Sequence, residues 1–337
     1  MARAILEREL NLSARRGSVR FSVATEADDA DIRRLFCESP MTGRISLTFE
    51  YEPSWFADAN VPEQAKRTII ARDGERLACV GYCTNRLRYV NGEARRVGYL
   101  GGLRLAADYA GRFDIVRRGY EMFHELEREA PADFYFTSIA SDNVPARRFL
   151  ERGLRGMPTY EFIGEFVTLL LSARAGSAAS AIGGKEYHYQ FAPCWKKAEP
   201  ALWDQREFKQ TVVRGYSRGL ALMRPMLNFA ARIRGTPRLP AVGETVANAF
   251  VSHLDAAPDE ERGFVTLIAG LRGQAAGRGI ELLTLGFAAD DRRLEWVRRQ
   301  FRFHEYRSRL YIVRWPDIGG TASELDGRVL APEVALL

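Results

Sequence analysis

The sequence predicts an α/β protein built as two tandem units, each a mixed, mostly antiparallel sheet flanked by helices. Three observations predict it. Two hairpin turns, Asp73-Gly74 and Asn91-Gly92, separate three strand-like runs in the first half. A strongly amphipathic stretch from about Arg112 to Glu129 follows them. A stretch made almost wholly of Ser, Ala and Gly, Ser172–Gly184, then divides the chain, and the order of strand and helix signals after it repeats the order before it more loosely.

In the first half, Phe21–Ala24 reads as a strand, and Thr25 is placed to cap a helix through Ile32, Leu35 and Phe36. Thr68–Ala71, Leu77–Tyr89 and Arg95–Leu105 form the meander joined by the two hairpin turns. In the helix that follows, Phe113, Val116, Tyr120, Phe123 and Leu126 fall on one face and are expected to pack on the sheet. Phe134–Ile139 is a short buried strand, Val144–Arg152 a short helix stopped by Gly153, and Tyr160–Leu171 a final strand. The glycines of Gly98-Tyr99-Leu100-Gly101-Gly102 lie inside a strand, which marks a bulge or a close backbone approach.

In the second half, Tyr187–Phe191 reads as an opening strand. Ala247–Leu254, Phe264–Leu271, Glu281–Phe287, Leu294–Phe301 and Tyr306–Trp315 read as strand, helix, strand, helix and strand. The division expected is 1–171, a linker at 172–184, a second unit at 185–316 and a tail at 317–337.

At 337 residues, 46% hydrophobic and 27% charged, the chain fits two cores of ordinary size. The longest uncharged apolar run, Phe166–Leu171, falls far short of the roughly 20 residues that span a bilayer, so no membrane span is expected. The N-terminus carries charge where a secretory signal would be apolar, and a cytoplasmic location follows as the expectation. Cys37, Cys79, Cys83 and Cys194 lack metal-ligand spacing and the four histidines are scattered, so no metal site is expected. Net charge is +6, but the arginines are spread along the chain, and nucleic-acid binding is not expected.

Two segments carry a family resemblance. Leu103 to Ile115 (LRLAADYAGRFDI) ends a strand and opens a helix, and it resembles the acyl-CoA motif of the GNAT superfamily of N-acyltransferases. Asn143-Val144-Pro145-Ala146-Arg147-Arg148-Phe149-Leu150-Glu151 is similar to that family's second hallmark, N-x-x-A-x-x-F-L-E. The resemblance spans about Phe21–Leu171. It implies an acyl-CoA, acetyl-CoA in the usual case, held by the backbone of Leu103 and Leu105, by the turn and helix start at Ala110, Gly111, Arg112, Phe113, Asp114 and Ile115, and near Asn143. A diphosphate needs backbone N–H groups converging at a helix N-terminus. Ala110, Phe113 and Ile115 depart from the family's small or polar residues, and Asp114 brings a negative charge to the same amides.

The resemblance also implies an amine-bearing acceptor, a small molecule or a peptide, attacked directly on the thioester. Glu50 and Glu52 lie two apart in Ile45–Phe56, the segment that covers the acceptor site in such folds, and are the candidates for binding or deprotonating the amine. The family's leaving-group acid is a tyrosine where this chain has Leu150; Tyr99 is the candidate that replaces it, with Tyr109, Tyr135 and Tyr160 as further possibilities. No nucleophile motif brackets a serine, cysteine or lysine. In the second half the acidic stretch Leu254–Phe264 stands where the phosphate turn belongs, so that copy reads as degenerate, lending surface to the first or making a homodimer. A non-catalytic CoA-binding or regulatory protein on the same scaffold is the alternative.

Overall fold

One hairpin closes on Asn91 and Gly92 as expected, at φ of 53° and 82°, whereas the other closes one residue later than expected: Asp73 still pairs with Arg76, so the loop is Gly74-Glu75, with Gly74 at φ 60°. The computed structural model describes residues 19–57, 65–174, 189–194, 201–234, 236–254 and 260–337. The first half runs β1 (Val19–Val23), α1 (Asp29–Cys37), β2 (Ile45–Glu50), β3 (Ala65–Asp73), β4 (Arg76–Val90), β5 (Glu93–Leu105), α2 (Phe113–Glu127), β6 (Phe134–Ala140), α3 (Val144–Leu150) and β7 (Thr159–Ser172). The second runs β8 (Ala201–Trp203), β9 (Gln210–Tyr216), α4 (Arg218–Arg234), β10 (Asn248–Ser252), α5 (Glu261–Gly277), β11 (Leu282–Ala288), α6 (Arg292–Gln300) and β12 (Phe303–Arg314).

Both halves therefore contain the same order, β5–α2–β6–α3–β7 in one and β10–α5–β11–α6–β12 in the other. Each supplies a mostly antiparallel set of strands flanked by helices, as the patterning predicts. The two sets are laced into one ten-stranded sheet of order β1-β3-β4-β5-β6-β12-β7-β11-β10-β8. The last strand of each half crosses over: β12 pairs with β6 of the first half and β7 with β11 of the second. β7 and β12 run antiparallel side by side from Thr159↔Arg314 to Leu171↔Phe303, so the join is a long ladder rather than a hinge.

α2 packs Val116, Tyr120 and Phe123 on one sheet face, against Leu100, Ile139 and Tyr311. α1 packs Ile32, Leu35 and Phe36 on the opposite face, against Trp55, Ile70 and Val80. Thr25 and Asp28 form the capping box before α1. The second half buries Phe264, Leu267 and Leu271 of α5 on Leu283 and Leu285 of β11.

Residues 317–337 return across the molecule. Arg88, fully buried on β4, donates through Nη1 to the carbonyls of Phe191 at 2.8 Å and Pro332 at 2.7 Å. Gln190 Nε2 donates to Asn91 Oδ1 at 2.6 Å and to Asp326 Oδ1 at 2.7 Å, clamping the β4–β5 hairpin to the tail. The strand expected at Tyr187–Phe191 is not a ladder where it is described: Gln190 makes an isolated bridge to Leu330, and Phe191 turns at φ 62°. Residues 187 and 188 lie outside the described residues, as do most of the expected linker, 175–184, and the acidic stretch 255–259.

Candidate functional site

The site is built where β5 leaves β6. These neighbours are parallel and pair over only three rungs, Val97↔Phe134, Gly98↔Tyr135 and Tyr99↔Phe136. β5 then continues to Leu105 and β6 to Ala140 with no further rung recorded between them. The bulge signalled by the strand glycines accounts for the divergence. On the β4 side Tyr82 faces Gly101 and Val80 faces Arg104, so Gly102 and Leu103 together oppose Gly81. Gly102 holds φ +64°, and a Cβ there would lie 2.4 Å from the Tyr82 ring, so no other residue fits the bend.

The last tie across the fork is Thr137 Oγ1, which donates to the Leu100 carbonyl at 2.7 Å. Below it, Ala106 gives its N–H to Ala78 O at 2.9 Å. Antiparallel alternation then turns the N–H and C=O groups of Leu103 and Leu105 toward the open edge. Arg104 Nη1 already donates to the Leu103 carbonyl at 2.9 Å. The two residues named from sequence thus border the gap between β5 and β6.

At the helix start the sequence-derived residues gather differently from a simple amide cradle. Ala110 N–H bonds Ala107 O at 3.1 Å, Arg112 N–H bonds Tyr109 O at 3.0 Å, Phe113 N–H bonds Gly111 O at 2.9 Å and Ile115 N–H bonds Arg112 O at 3.1 Å. Arg112 also grips Asp114 through Nε and Nη2, both at 2.8 Å, and this hydrogen bonding holds the Asp114 carboxyl below its ordinary value. Gly111, at φ +82°, has open space where a Cβ would be.

Phe113 is not on the buried stripe where the periodicity puts it. It is 53% exposed and stacks on Phe149 of α3, ring centroids 4.4 Å apart. Ile115 is in the core with Tyr109. Asn143 caps α3, its side chain accepting from Ala146 N–H at 3.3 Å, and so acts on the helix that carries Phe149. An acyl-CoA's extended amide arm suits the β5 edge. Its diphosphate end does not suit the helix start as built, where turn carbonyls take the amides of Ala110, Arg112, Phe113 and Ile115 and Asp114 adds a negative charge.

On the α1 face, Lys66, Thr84, Tyr99 and Phe136 stand in one row across β3 to β6, and cross-strand partners share a face. Above the row is a small recess lined by Tyr51, Lys66, Tyr82, Thr84 and Lys209 among others. Lys66 Nζ lies 3.6 Å from the Trp55 ring centroid and donates to the Trp55 carbonyl at 3.1 Å. Trp55 is anchored in turn by Nε1–H to Thr68 Oγ1 at 2.9 Å.

The segment holding Tyr51 and Trp55 is fastened by the two glutamates named from sequence. Glu50 accepts from Arg214 Nε at 2.9 Å and also bonds Thr48. Glu52 accepts from Arg33 Nη1 at 2.6 Å, and its backbone is held by the Gln210 side chain. Arg214 and Gln210 come from β9, which pairs with β2 in a separate two-stranded sheet. Nothing local in the sequence announces that pairing.

Tyr99 sits at the fork itself, and burial raises its hydroxyl so far that it stays protonated. Arg104 and Tyr306 are both near enough to act on its charge. Tyr306 is partly exposed, and burial, reinforced by Asp142 and opposed by Arg104, pushes its hydroxyl up to about 12. Sequence reasoning missed Tyr306 because β12 brings it in from the other half. Of the further tyrosines, Tyr109 OH bonds Asp73, Tyr135 OH bonds Glu127, and Tyr120 and Tyr160 bond each other away from the fork.

The second half has its own fork. β10 and β11 are parallel over Asn248↔Leu282, Ala249↔Leu283 and Phe250↔Thr284, after which β10 follows β8. Here the tail enters. Glu333 accepts from His253 N–H at 3.0 Å and Ser252 Oγ at 3.4 Å, and a Cβ on Gly286 would come within 2.6 Å of Val334. At the first fork β5 runs on past its last rung with β6, whereas among the described residues the second fork is packed with the chain's own tail.

No protein-family model matches the chain, and no curated protein matches it. Among solved structures it is similar to a tandem GNAT protein from the clavulanic acid biosynthesis pathway, at 13% identity over 88% of this chain and 98% of that one, TM-score 0.48. It is similar to a GCN5-related N-acetyltransferase from Sphaerobacter thermophilus, at 12% identity over 91% and 99%, TM-score 0.46. A GCN5-related N-acetyltransferase from Kribbella flavida gives 12% identity over 87% and 70%, TM-score 0.37. Of these three, two are named GCN5-related N-acetyltransferases and one a tandem GNAT protein.

Proposed function

We propose that this chain is an N-acyltransferase that takes an acyl-CoA, acetyl-CoA first among them, along the open edge of β5 and passes the acyl group to a primary amine held over the recess on the α1 face. The observation that carries the reading is the parting of β5 and β6 after Tyr99↔Phe136, which leaves Leu103 and Leu105 facing a gap. In this reading 1–171 and 185–316 are two copies of one unit, and the tail closes the second.

A bound acyl-CoA supplies the thioester carbonyl and the departing thiolate. The chain's residues do the rest. Leu103 and Leu105 hold the arm through backbone hydrogen bonds. Tyr306 is the proton donor to the thiolate, its hydroxyl protonated throughout the ordinary pH range, with Tyr99 behind it. Glu50 and Glu52, each ion-paired, position Tyr51 and Trp55 against the acceptor rather than stripping its proton. The neutral amine's nitrogen bonds the carbonyl carbon as the carbon–sulfur bond breaks; Tyr306 gives its proton to the departing sulfur and recovers the one the nitrogen loses through solvent, so one amide and one thiol result.

A second reading is favoured by the Phe113–Phe149 stack and by the turn that consumes its own amides: a GNAT-like scaffold that binds without catalysing. Calorimetric titration with acetyl-CoA separates the two. Saturable binding followed by acyl transfer to an amine supports the enzyme, and no heat at millimolar acetyl-CoA ends it.

A further inference from the structure

α4 is a helix of 17 residues in which only Ala231 is buried. Leu220, Arg224, Leu227 and Asn228 turn toward the body, where Asn228 brackets the Leu239 backbone at 2.7 and 3.0 Å and Arg224 Nε donates to the Leu239 carbonyl at 3.1 Å. The opposite side carries Leu222, Met226, Phe229 and Ile233, at helical spacing, exposed by 84%, 61%, 68% and 72%. Among the described residues nothing covers this stripe. Such a row of large side chains in water is not ordinary surface.

The charges identify the occupant. α4 contains Arg218, Arg224, Arg232 and Arg234 and no acidic residue. By helical projection Arg218 and Arg232 lie along one border of the stripe and Arg234 near the other. Apolar side chains flanked by arginines suit a surface with an oily interior and negative headgroups. The stripe sinks past the headgroups, and the guanidinium groups stay at the phosphates. A second copy fits poorly. Two α4 helices face to face would oppose arginine to arginine, and a stripe one helix wide offers far less than the ~800 Å² per partner of a stable interface. Among the described residues no helix is long and apolar enough to cross a bilayer. α4 lies on the surface.

We propose that α4 docks the protein on anionic phospholipid membranes, with Leu222, Met226, Phe229 and Ile233 in the headgroup boundary. The test is co-sedimentation of the full chain with vesicles of phosphatidylcholine alone and of phosphatidylcholine with 30% phosphatidylglycerol. Binding at least about tenfold stronger to the anionic vesicles, weakening with salt, is the expected result. Phe229→Ser with Ile233→Ser is expected to lower it at least about tenfold, and Arg218→Gln with Arg232→Gln to remove the preference for anionic lipid. All four side chains are exposed, so an unchanged thermal midpoint shows that the variants fold. Equal binding to both vesicles, or binding unaffected by the serine variant, overturns the proposal. So does a concentration-dependent dimer, seen by sedimentation equilibrium, that the serine variant abolishes.

Discussion

Phe113 and Phe149 stack with centroids 4.4 Å apart and planes 19° from parallel, joining the first residue of α2 to α3 across the mouth of the fork. One ring stands in the turn that resembles a diphosphate site and the other in the helix that resembles the second family hallmark. The two segments that carry the resemblance thus touch, and in the function proposed above their contact borders the path of the acyl-CoA.

Phe113→Ala is therefore expected to tighten acetyl-CoA binding several-fold. It forfeits a stacked pair worth about 0.5–1.5 kcal/mol on a side chain that is already half exposed, so unfolding shifts little. Calorimetry alongside thermal unfolding checks both halves of the expectation. Weaker binding in the variant means the ring serves the ligand rather than excluding it.

The bulge at Gly102 bends β5 away from β6. Gly102→Ala forces a Cβ to within 2.4 Å of Tyr82 at φ +64°. It is expected to cost about 2 kcal/mol or more in urea unfolding and to reduce acyl-CoA binding in the fraction that remains folded. Gly111, equally left-handed but open around its Cα, is the control: Gly111→Ala pays only the backbone strain.

Tyr306 tests the chemistry. Tyr306→Phe keeps the ring and loses the proton donor, so kcat is expected to fall about 100-fold or more with KM for acetyl-CoA little changed. An unchanged kcat assigns the proton to another group, Tyr99 first.

His253, in the second fork, is pushed down to about 4 from 6.5 by burial. Between those values the unfolded chain takes up a proton that the folded chain refuses. Its contribution is present above about pH 6.5 and is lost as pH falls toward 4. Glu333, raised by burial, acts in the opposite sense, favouring the fold at low pH. Comparing urea midpoints at pH 7.5 and pH 5 in wild type and His253→Asn isolates the histidine: the variant is expected to lose less stability on acidification. Asparagine tolerates the φ of 60° at this position.

What the sequence made legible is local. Asn91-Gly92 fixed one hairpin, the spacing of Val116, Tyr120 and Phe123 fixed the buried face of α2, and Gly101-Gly102 located the bulge. What it hid is long-range. Alternation along Tyr306–Trp315 predicts a strand with two faces but not that it pairs with β6 of the other half. The β2–β9 ladder depends on residues more than 150 positions apart, as Glu50 and Arg214 are. The burial of Arg88 depends on the carbonyls of Phe191 and Pro332, which lie more than 100 positions away in sequence. Glu50 and Glu52 were legible as a same-side pair, but their arginine partners were not. Phe113 fell on the apolar stripe by spacing, yet at the first position of α2 the core has ended and α3 supplies its neighbour.

The account rests on Leu103 and Leu105 presenting backbone groups to a gap that an acyl-CoA arm enters. Amide hydrogen exchange, resolved at Leu103 and Leu105 with and without saturating acetyl-CoA, measures this directly. Slowing of both amides by about tenfold or more, with Cys79 and Val80 on the paired edge unchanged, is the predicted result. Exchange at Leu103 and Leu105 that stays the same under saturation contradicts it.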